Sequence, residues 1–293
     1  MPTYDTPNST QSVDVSDTDA VHCAANGAGG GDGGQGSGQD GHNGGSGGNG
    51  GSAEFVLDVS SVSLLDLLLG QAGEDGKDAG NGADTQTQGG LSPVNDGGYG
   101  ATDGTDISSG SAGAGGSETQ VRLGDGTIVS RIHAGGGGAG GPFDDGTSTS
   151  DGTGGGGGAG GGNGGTGVGG DYPGGDAEGS GLGGDGGSAE TREGDANPGS
   201  PGDAEVIGGT TSAVTTTLGG GNAGDPSITV TKKPPAPSLA VDSHTDTSVT
   251  LDIGGADFED GTRVYYREVG ASTWTQDADL AAGAVPTTHT VSG

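Results

Sequence analysis

Cysteine, lysine and aromatic residues are scarce in this chain of 293 residues. A single cysteine excludes an intramolecular disulfide and a Cys-based zinc site. Its histidine neighbour adds too few ligands for a metal, so we interpret the pair as the end of a half-buried strand. Basic residues number 8 against 40 acidic ones, which excludes the basic patch that nucleic-acid binding requires. The residues concerned are Cys23, His22 and the three lysines, Lys77, Lys232 and Lys233.

Apolar residues are also few, since only 26% of the chain is hydrophobic while 76 residues are glycine and the net charge is -32. This composition is typical of disordered chains and predicts that no conventional core forms. Flexible spacers are therefore one interpretation of the glycine-rich segments. The other is order, because these segments alternate with short strand-like runs that a spacer does not need.

The surplus of Asp over Lys resembles the surfaces of proteins from halophilic organisms, in which counter-ions screen self-repulsion. We expect order in this chain to depend on salt. The alternative is an ordinary acidic surface that aids solubility.

The first segment, Met1–Ala20, is polar and acidic. It is predicted to be a flexible lead-in, and it lacks the basic start and apolar stretch of a secretory signal. No apolar run approaches membrane-spanning length. We therefore expect a chain that is made and assembled inside a cell.

A period of three residues runs from Gly38 to Ser52 and is the most informative pattern. One phase is short and polar, and the other two are almost entirely glycine. Three is the repeat of the left-handed polyproline II helix. Helices with so few side chains can pack backbone to backbone and exchange N–H···O=C bonds with neighbours. The polar phase consists of Asp40, Asn43, Ser46, Asn49 and Ser52.

A second tract, Gly154–Gly170, keeps glycine at every third position. Collagen shares that period but needs proline at many of the remaining positions, which are mostly Gly, Ala, Asn and Thr here. The tract therefore predicts packed polyglycine-type helices rather than a triple helix.

Strand signals separate the glycine-rich tracts. Phe55, Leu57 and Val59 alternate with polar residues and predict a strand that covers one face of the glycine layer. The cluster Leu64–Leu69 fits a short helix or a buried strand, and it could serve as an oligomer contact or as a local core. Further predictions are a β-hairpin over Thr119–His133 turning at Gly124–Gly126, strands within Glu205–Leu218 and Ser227–Thr231, and a loop over Gln71–Gly110.

From Lys232 the composition changes, because glycine nearly vanishes from the strands and most aromatic residues occur here. We expect a separate β module over 232–293. Its aromatic residues are Phe258, Tyr265, Tyr266 and Trp274.

The order NGAGGGDGG (Asn26–Gly34), GAGGS (Gly113–Ser117), hairpin and HAGGGGAGG (His133–Gly141) resembles the glycine-rich domains of viral tail fibres and tail-tip adhesins. The resemblance covers residues 20 to 230 and rests on composition and tract order. It implies polyglycine II bundles between short strands, with exposed loops at one end that bind the host surface. It carries over no receptor-binding residue, because that group shares no motif for one.

The C-terminal module resembles the start of a fibronectin type III domain, on a proline-rich entry (Pro234–Val241), TSVTLDI (Thr247–Ile253), YYREVGASTWT (Tyr265–Thr275) and TTHTVSG (Thr287–Gly293). Two features depart from that family. Ile253 stands where the core tryptophan is usual, and the last two strands of the sandwich are missing. We expect the native polypeptide to continue past Gly293 or another chain to complete the sheet.

No catalytic motif is present. The five histidines, His22, His42, His133, His244 and His289, lie in unrelated contexts, and no GxSxG elbow occurs. Chance GxGxxG matches precede no helix that could hold a pyrophosphate. We therefore expect no enzyme, no catalytic or cofactor-binding residue and no metal ligand. Calcium stays open as a cofactor, since GSGQDGHNG approaches the calcium-binding nonapeptide but lacks its apolar residue.

The predicted fold is mostly irregular and all-β, with polyglycine II-type helices and short strands over 21–231 and an incomplete fibronectin-like sandwich over 232–293. The predicted function is a structural part of a virion tail, fibre or tip, from a virus of a halophilic (haloarchaeal) host, assembled in the host cytoplasm. Expected partners are further copies in a homo-oligomer such as a trimer, other tail proteins and a host receptor. Alternatives are a cell-surface or extracellular matrix protein and a glycine-rich ice-binding or calcium-binding protein.

Overall fold

The computed structural model describes residues 2–36, 43–79, 87–100, 110–140, 176, 183–186, 196–233, 238–245, 248–254, 262–267, 273, 275–280 and 287–292. The predictions for Asp40, His42, Gly154–Gly170, Phe258 and Trp274 lie outside them. The described part contains strands and no helix, so the all-β prediction is confirmed. In chain order the strands are β1 (Thr3–Tyr4), β2 (Ser9–Asp14), β3 (Ala20–Asn26), β4 (Ser52–Asp58), β5 (Leu64–Leu69), β6 (Thr119–Leu123), β7 (Ile128–Ile132), β8 (Ala204–Val206), β9 (Thr211–Thr217), β10 (Ser227–Lys233), β11 (Ser238–His244), β12 (Ser248–Gly254), β13 (Thr262–Tyr266), β14 (Thr275–Leu280) and β15 (Thr287–Ser292).

The chain divides into two compact units. The first contains Met1–Asp17 and Val21–Thr231, and the second contains Thr18–Ala20 and Lys232–Gly293. The first unit has two five-stranded sheets. Sheet I has the order β1-β10-β3-β4-β9, and sheet II has the order β2-β5-β6-β7-β8, in which every neighbouring pair is antiparallel.

One apolar core of eighteen buried residues joins the two sheets in a sandwich-like pair. Phe55 and Leu57 of sheet I and Leu65, Leu67 and Leu69 of sheet II are fully buried in it. The expectation that no conventional core forms was wrong. Average composition conceals that the few large apolar residues occur at alternate positions of a few strands, so that each of them points inward.

The leucine cluster is a strand, β5, and lies in sheet II between β2 and β6. Its burial alternates, with Leu65 and Leu67 in the core and Asp66 on the opposite face. Of the two interpretations, a local core is the one that the structure has. The two-residue period could not be recognised in the sequence, because Leu64 and Leu68 place leucines on the outer face as well.

The first twenty residues are not a flexible lead-in, which corrects that prediction. β2 pairs with β5 along six residues, from Ser9 opposite Leu69 to Asp14 opposite Leu64. Val13 and Val15 are buried in the core. As the edge strand beside the leucine-rich β5, β2 gains this apolar contact together with the hydrogen bonds of strand pairing. One buried face is sufficient to hold such a strand in the sheet, even though it is rich in Ser and Thr.

The predicted hairpin is confirmed as β6 and β7, with Gly126 at a φ of +88° in the turn. The segment Glu205–Leu218 forms two strands, β8 and β9, which lie in different sheets. Strand β4 does not cover a face of the glycine layer, contrary to expectation. Its apolar face packs in the core between the sheets, and the glycine tracts continue from the strand ends.

The second unit is formed by two antiparallel sheets. Strands β11, β12 and β15 make a three-stranded sheet with β12 in the middle, and β13 pairs with β14. Two register shifts interrupt the pairing, between Val241 and Ser243 on β11 and between Val264 and Tyr265 on β13. The predicted strands of this module are therefore present.

Two buried hydroxyl groups in the first unit provide a test of its core. Thr119 Oγ1 accepts a hydrogen bond from the Gly70 main-chain N–H at 3.0 Å, whereas Ser130 Oγ has no hydrogen-bond partner among the described residues. A buried hydroxyl without a partner costs on the order of 1–3 kcal/mol. We expect Ser130→Ala to raise the free energy of unfolding by about 1 kcal/mol, measured by chemical denaturation.

Thr119→Val is the matched control, because it removes a fully buried hydroxyl that does have a partner. It should lower the free energy of unfolding. A stability loss in Ser130→Ala equal to that in Thr119→Val would contradict this description of the core.

Candidate functional site: the bonded glycine-rich tracts

Six glycine-rich tracts extend from the same end of the first unit's sandwich. Tracts 1, 3 and 5 follow β3, β5 and β7, and tracts 2, 4 and 6 precede β4, β6 and β8. Short turns join the strands at the opposite end, as at Gly124–Gly126. We define the tracts as residues 27–35 (tract 1), 43–51 (tract 2), 70–79 (tract 3), 110–118 (tract 4), 133–140 (tract 5) and 196–203 (tract 6).

Main-chain hydrogen bonds between tracts advance three residues at a time. Tract 1 donates to tract 2 from residues 27, 30 and 33, and the acceptors are the carbonyls of residues 51, 48 and 45, at 2.8–2.9 Å. Tract 2 donates in turn to tract 5 from residues 45, 48 and 51. Tract 6 donates to tract 2 from residues 196, 199 and 202. The predicted exchange of hydrogen bonds between neighbouring segments is therefore present.

Tract 1 is central, because it is bonded to tracts 2, 3, 4 and 5. It donates to tracts 2 and 4, and it accepts from tract 3 at residues 29, 32 and 35 and from tract 5 at residues 28 and 31. The peptide groups of tract 1 thus fall into three sets, each recurring every three residues, and each set faces a different side of the tract. A period of three directs peptide groups to three sides, which neither a strand nor an α-helix does.

Burial follows the same period in tract 2. Asn43, Ser46 and Asn49 are exposed, while Gly45 and Gly48 are buried. The polar residues of the three-residue pattern therefore face outward. The glycines at every third position that include Gly45 and Gly48 face tracts 1 and 5.

Buried glycines in the tracts leave no room for a side chain. A Cβ on Gly135 would overlap the Gly48 carbonyl, and a Cβ on Gly138 would overlap that of Gly45, in both cases closer than 3.0 Å to main-chain atoms. Main chain cannot move aside as a flexible side chain can. The requirement for glycine here comes from close approach of neighbouring backbones.

The segment Gln71–Gly110 was predicted to be a loop without period, which is wrong for residues 71–79. Tract 3 donates to tract 1 from residues 73, 76 and 79, at 2.7–3.1 Å. The signal was missed because glycine occupies only one phase here, Gly70, Gly73 and Gly76, while the other two phases carry residues such as Glu74, Lys77 and Asp78.

Carboxylates on the outer side of the tracts also accept main-chain hydrogen bonds. Asp32 Oδ1 accepts from Gly47 N–H at 2.7 Å, Asp75 Oδ1 from Asp32 N–H at 2.9 Å, and Asp78 Oδ1 from Gln35 N–H at 2.8 Å. These carboxylates add hydrogen bonds between tracts 1 and 3 and between tracts 1 and 2, which are also bonded through their main chains. The acidic composition of the chain therefore has a structural role in addition to solubility.

A buried polar cluster lies where tract 4 meets β6. The Glu118 carboxylate is buried and accepts hydrogen bonds from Gln120 Nε2, at 2.7 Å, and from Asn95 Nδ2. Arg131 Nε lies 3.7 Å from Glu118 Oε1, and Arg131 Nη1 donates to Glu205 at 3.1 Å. The Glu118 charge is compensated by these partners, and removal of one of them would leave a buried charge without compensation.

The sequence analysis placed the five histidines in unrelated contexts, and the structure describes four of them. His22 Nε2 lies 2.9 Å from Glu54 Oε1 on sheet I, whereas His133 is fully buried at the start of tract 5. Burial lowers the pKa of His133, which the charges of Glu118 and Glu205 oppose in part. His244 and His289 lie in the second unit, on β11 and β15.

Cys23 is fully buried on β3 rather than half-buried at a strand end. Burial raises the pKa of its thiol to about 12. The thiolate is the reactive form, so Cys23 serves as a small apolar core residue. Among the described residues, no group of three or more His, Cys, Asp and Glu side chains could hold a metal ion.

Within the described part of the chain, no helix has the length and hydropathy needed to cross a membrane. In comparisons with known proteins, no family model and no curated protein matches this chain.

The close approach of tract backbones gives the first prediction for this site. Gly138→Ala should lower the free energy of unfolding by at least about 3 kcal/mol, because its Cβ meets main chain from tract 2. Circular dichroism during chemical denaturation in molar salt measures the change.

Gly224→Ala is the matched control. A Cβ there has nothing within 4 Å, so the variant should be as stable as the native chain or slightly more stable. Equal stability of the two variants would show that the tracts are not packed in this way.

A second prediction concerns pH. Gln88 N–H donates to Glu74 Oε2 at 3.0 Å, and Lys77 Nζ lies 3.2 Å from Glu74 Oε1. The hydrogen bond from Gln88 is the main cause that lowers the pKa of Glu74; burial opposes it, and Lys77 contributes further lowering. A folded-state pKa below the unfolded value stabilises the fold above the unfolded pKa, and this stabilisation is lost as the pH falls through the folded pKa.

We therefore expect the native chain to be more stable than Glu74→Gln at pH 7, with a difference that is lost as the pH falls below about 4.3, the unfolded pKa of a glutamate, and through the lower folded-state pKa. Denaturation in molar salt, which screens overall self-repulsion, measures this difference. A difference that stays constant from neutral to acidic pH would contradict the role of the ionised carboxylate.

Proposed function

We propose that the chain is a structural component of a virion tail, in a fibre or at its tip, and takes part in attachment to the host surface. The observation that carries the proposal is the set of six tracts bonded to one another at one end of the sandwich. Such a bundle is a stiff support, which a fibre or a fibre tip requires. A spacer between domains would not need each glycine placed against a neighbouring backbone.

The tracts in this proposal are polyglycine II helices. Hydrogen bonds that advance by three residues, and burial with the same period in tract 2, support this assignment. The resemblance of the tract sequences to glycine-rich tail adhesins supports it independently. The resemblance to tail adhesins implies that exposed loops at one end contact the host surface, and it singles out no particular loop.

The proposed host lives at high salt. The net charge of -32 opposes compaction at low salt, and a Debye length of about 3 Å at 1 M salt removes most of that repulsion. Carboxylates such as Asp75 and Asp78 accept main-chain hydrogen bonds in the tracts, so part of the acidic surplus has a place in the bundle, and salt screens the repulsion between its charges.

The second unit is proposed to be a fibronectin type III-like module. Its three-stranded β11-β12-β15 sheet and its β13-β14 pair support this, because that fold also consists of two antiparallel sheets. Proposed partners are other tail proteins, a host-surface receptor and further copies of the chain, as in a trimer.

Proteomics of virions purified from the source culture tests this function. We expect the chain in intact particles, and immunoelectron microscopy should locate it on the tail. Added full-length protein should slow adsorption of virus to host cells, and Gly138→Ala should lose this competition while Gly224→Ala keeps it.

The second candidate is a cell-surface or extracellular matrix protein, which the fibronectin-like module favours. The same proteomics experiment distinguishes this candidate from a virion protein. Recovery of the chain from the cell envelope or the medium, with none in purified particles, would overturn the virion assignment.

A further inference from the structure

The outer face of sheet I is covered by short polar side chains. On β3 and β4, burial alternates along the strand, so that every second side chain points away from the core. On β9, Thr215 and Thr217 lie opposite Glu54 and Ser52 and share their face. The outward residues on these strands and on β10 include His22, Ala24, Asn26, Ser52, Glu54, Thr215, Thr217, Ser227 and Thr229.

A cleft of about 110 Å³ lies in this face. Its lining residues are Ala24, Ala25 and Asn26 of β3, Ser52, Ala53 and Glu54 of β4, and Thr215 and Thr217 of β9. Ala24 lies between the longer outward side chains of His22 and Asn26 on β3, and its small methyl group accounts for the depression. The volume is larger than one water molecule requires and fits the edge of a sugar ring.

The polar groups of the cleft include both donors and acceptors. Glu54 supplies a carboxylate whose side chain is 60% exposed and whose Oε1 lies 2.9 Å from His22 Nε2. Ser52, Thr215 and Thr217 supply hydroxyls, each of which can donate one hydrogen bond and accept others. Asn26 supplies an amide, whose Nδ2 donates to Ser227 Oγ at 3.3 Å.

These groups restrict the class of ligand. An anion is disfavoured by Glu54 and by the net charge of -32. An apolar ligand would leave the hydroxyls and the carboxylate without partners. A calcium ion needs six to eight oxygen ligands, whereas Glu54 is the one carboxylate among the described lining residues.

We propose that this cleft binds a neutral polyhydroxylated ligand, namely one saccharide unit of a glycan. Adjacent sugar hydroxyls would donate to the Glu54 carboxylate and exchange hydrogen bonds with Thr215 and Thr217. The Ala24 methyl group forms the floor on which the apolar edge of the ring rests. The cleft belongs to the folded first unit alone, so the proposal stands or falls separately from the virion assignment.

The test is a titration of the full-length ¹⁵N-labelled chain with the methyl glycosides of glucose, galactose, mannose and N-acetylglucosamine, followed by NMR. At least one glycoside should shift the amide signals of Ala24, Ser52, Thr215 and Thr217, with a dissociation constant in the millimolar range. Binding should be nearly equal at about 0.3 M and 2 M salt, because the ligand is uncharged.

Ala24→Leu fills the cleft without removing a polar group and should weaken binding at least about tenfold. Thr215→Val keeps the shape but removes one hydroxyl and should weaken it several-fold. Thr229→Val is the matched control, since Thr229 lies on the same face outside the cleft and bonds with Thr3, at 3.2 Å. This variant should bind as the native chain does.

Three results would overturn the proposal. One is the absence of shifts with every glycoside, and another is unchanged binding by Ala24→Leu. The third is that methylammonium, titrated in parallel, shifts the same signals at low salt while the glycosides do not, which would make Glu54 part of a cation site.

Discussion

Hydrogen bonds between neighbouring main chains are the interaction on which the glycine-rich part of this protein depends. A tract of glycine buries little apolar surface, and ordering each residue costs on the order of 1–2 kcal/mol. One intramolecular hydrogen bond contributes a net of about 1 kcal/mol. Bonds alone therefore do not offset the entropy of a free tract. The close contact between backbones, which lets dispersion act along the whole tract, supplies a further contribution.

The sandwich reduces the entropy that is lost when the tracts become ordered, because it fixes one end of each tract. Six tracts begin or end at strands of the first unit, so the pairing of the strands also fixes the register of the tracts that adjoin them. Phe55, Leu57 and Leu65 hold the two sheets together in a small but fully buried core. The buried Glu118 cluster adds a fixed point at the base of tract 4. Rigid strands and bonded tracts thus form one continuous unit.

Local patterns made much of this architecture predictable. The three-residue period of Asn43, Ser46 and Asn49 predicts the direction of side chains and of peptide groups, because each phase meets a different neighbour. The alternation of Phe55, Leu57 and Val59 with mostly polar residues predicts β4, although Val56 interrupts it. Composition averages misled where they replaced pattern, as in the expectation of no core. The pairing of β2 with β5 could not be predicted, because it joins residues fifty or more positions apart and one buried face gives a weak signal.

The candidate sites were harder to predict from the sequence. Ala24, Ser52 and Thr215 come from three strands that the sequence places far apart, and none of them belongs to a chemical motif. The acceptor roles of Asp32, Asp75 and Asp78 depend on which tract lies beside each carboxylate. Sequence composition suggests only that many acids are present. Their individual roles follow from the contacts between tracts.

Hydrogen exchange of the tract amides, resolved by residue in molar salt at neutral pH, tests the central claim most directly. The N–H groups of Gly30, Gly33, Gly48 and Gly138 should exchange at least about a thousandfold more slowly than in an unstructured peptide, as those of β3 and β4 do. Exchange of these glycines at peptide rates, while the strands stay protected, would mean that the tracts are not held by their neighbours.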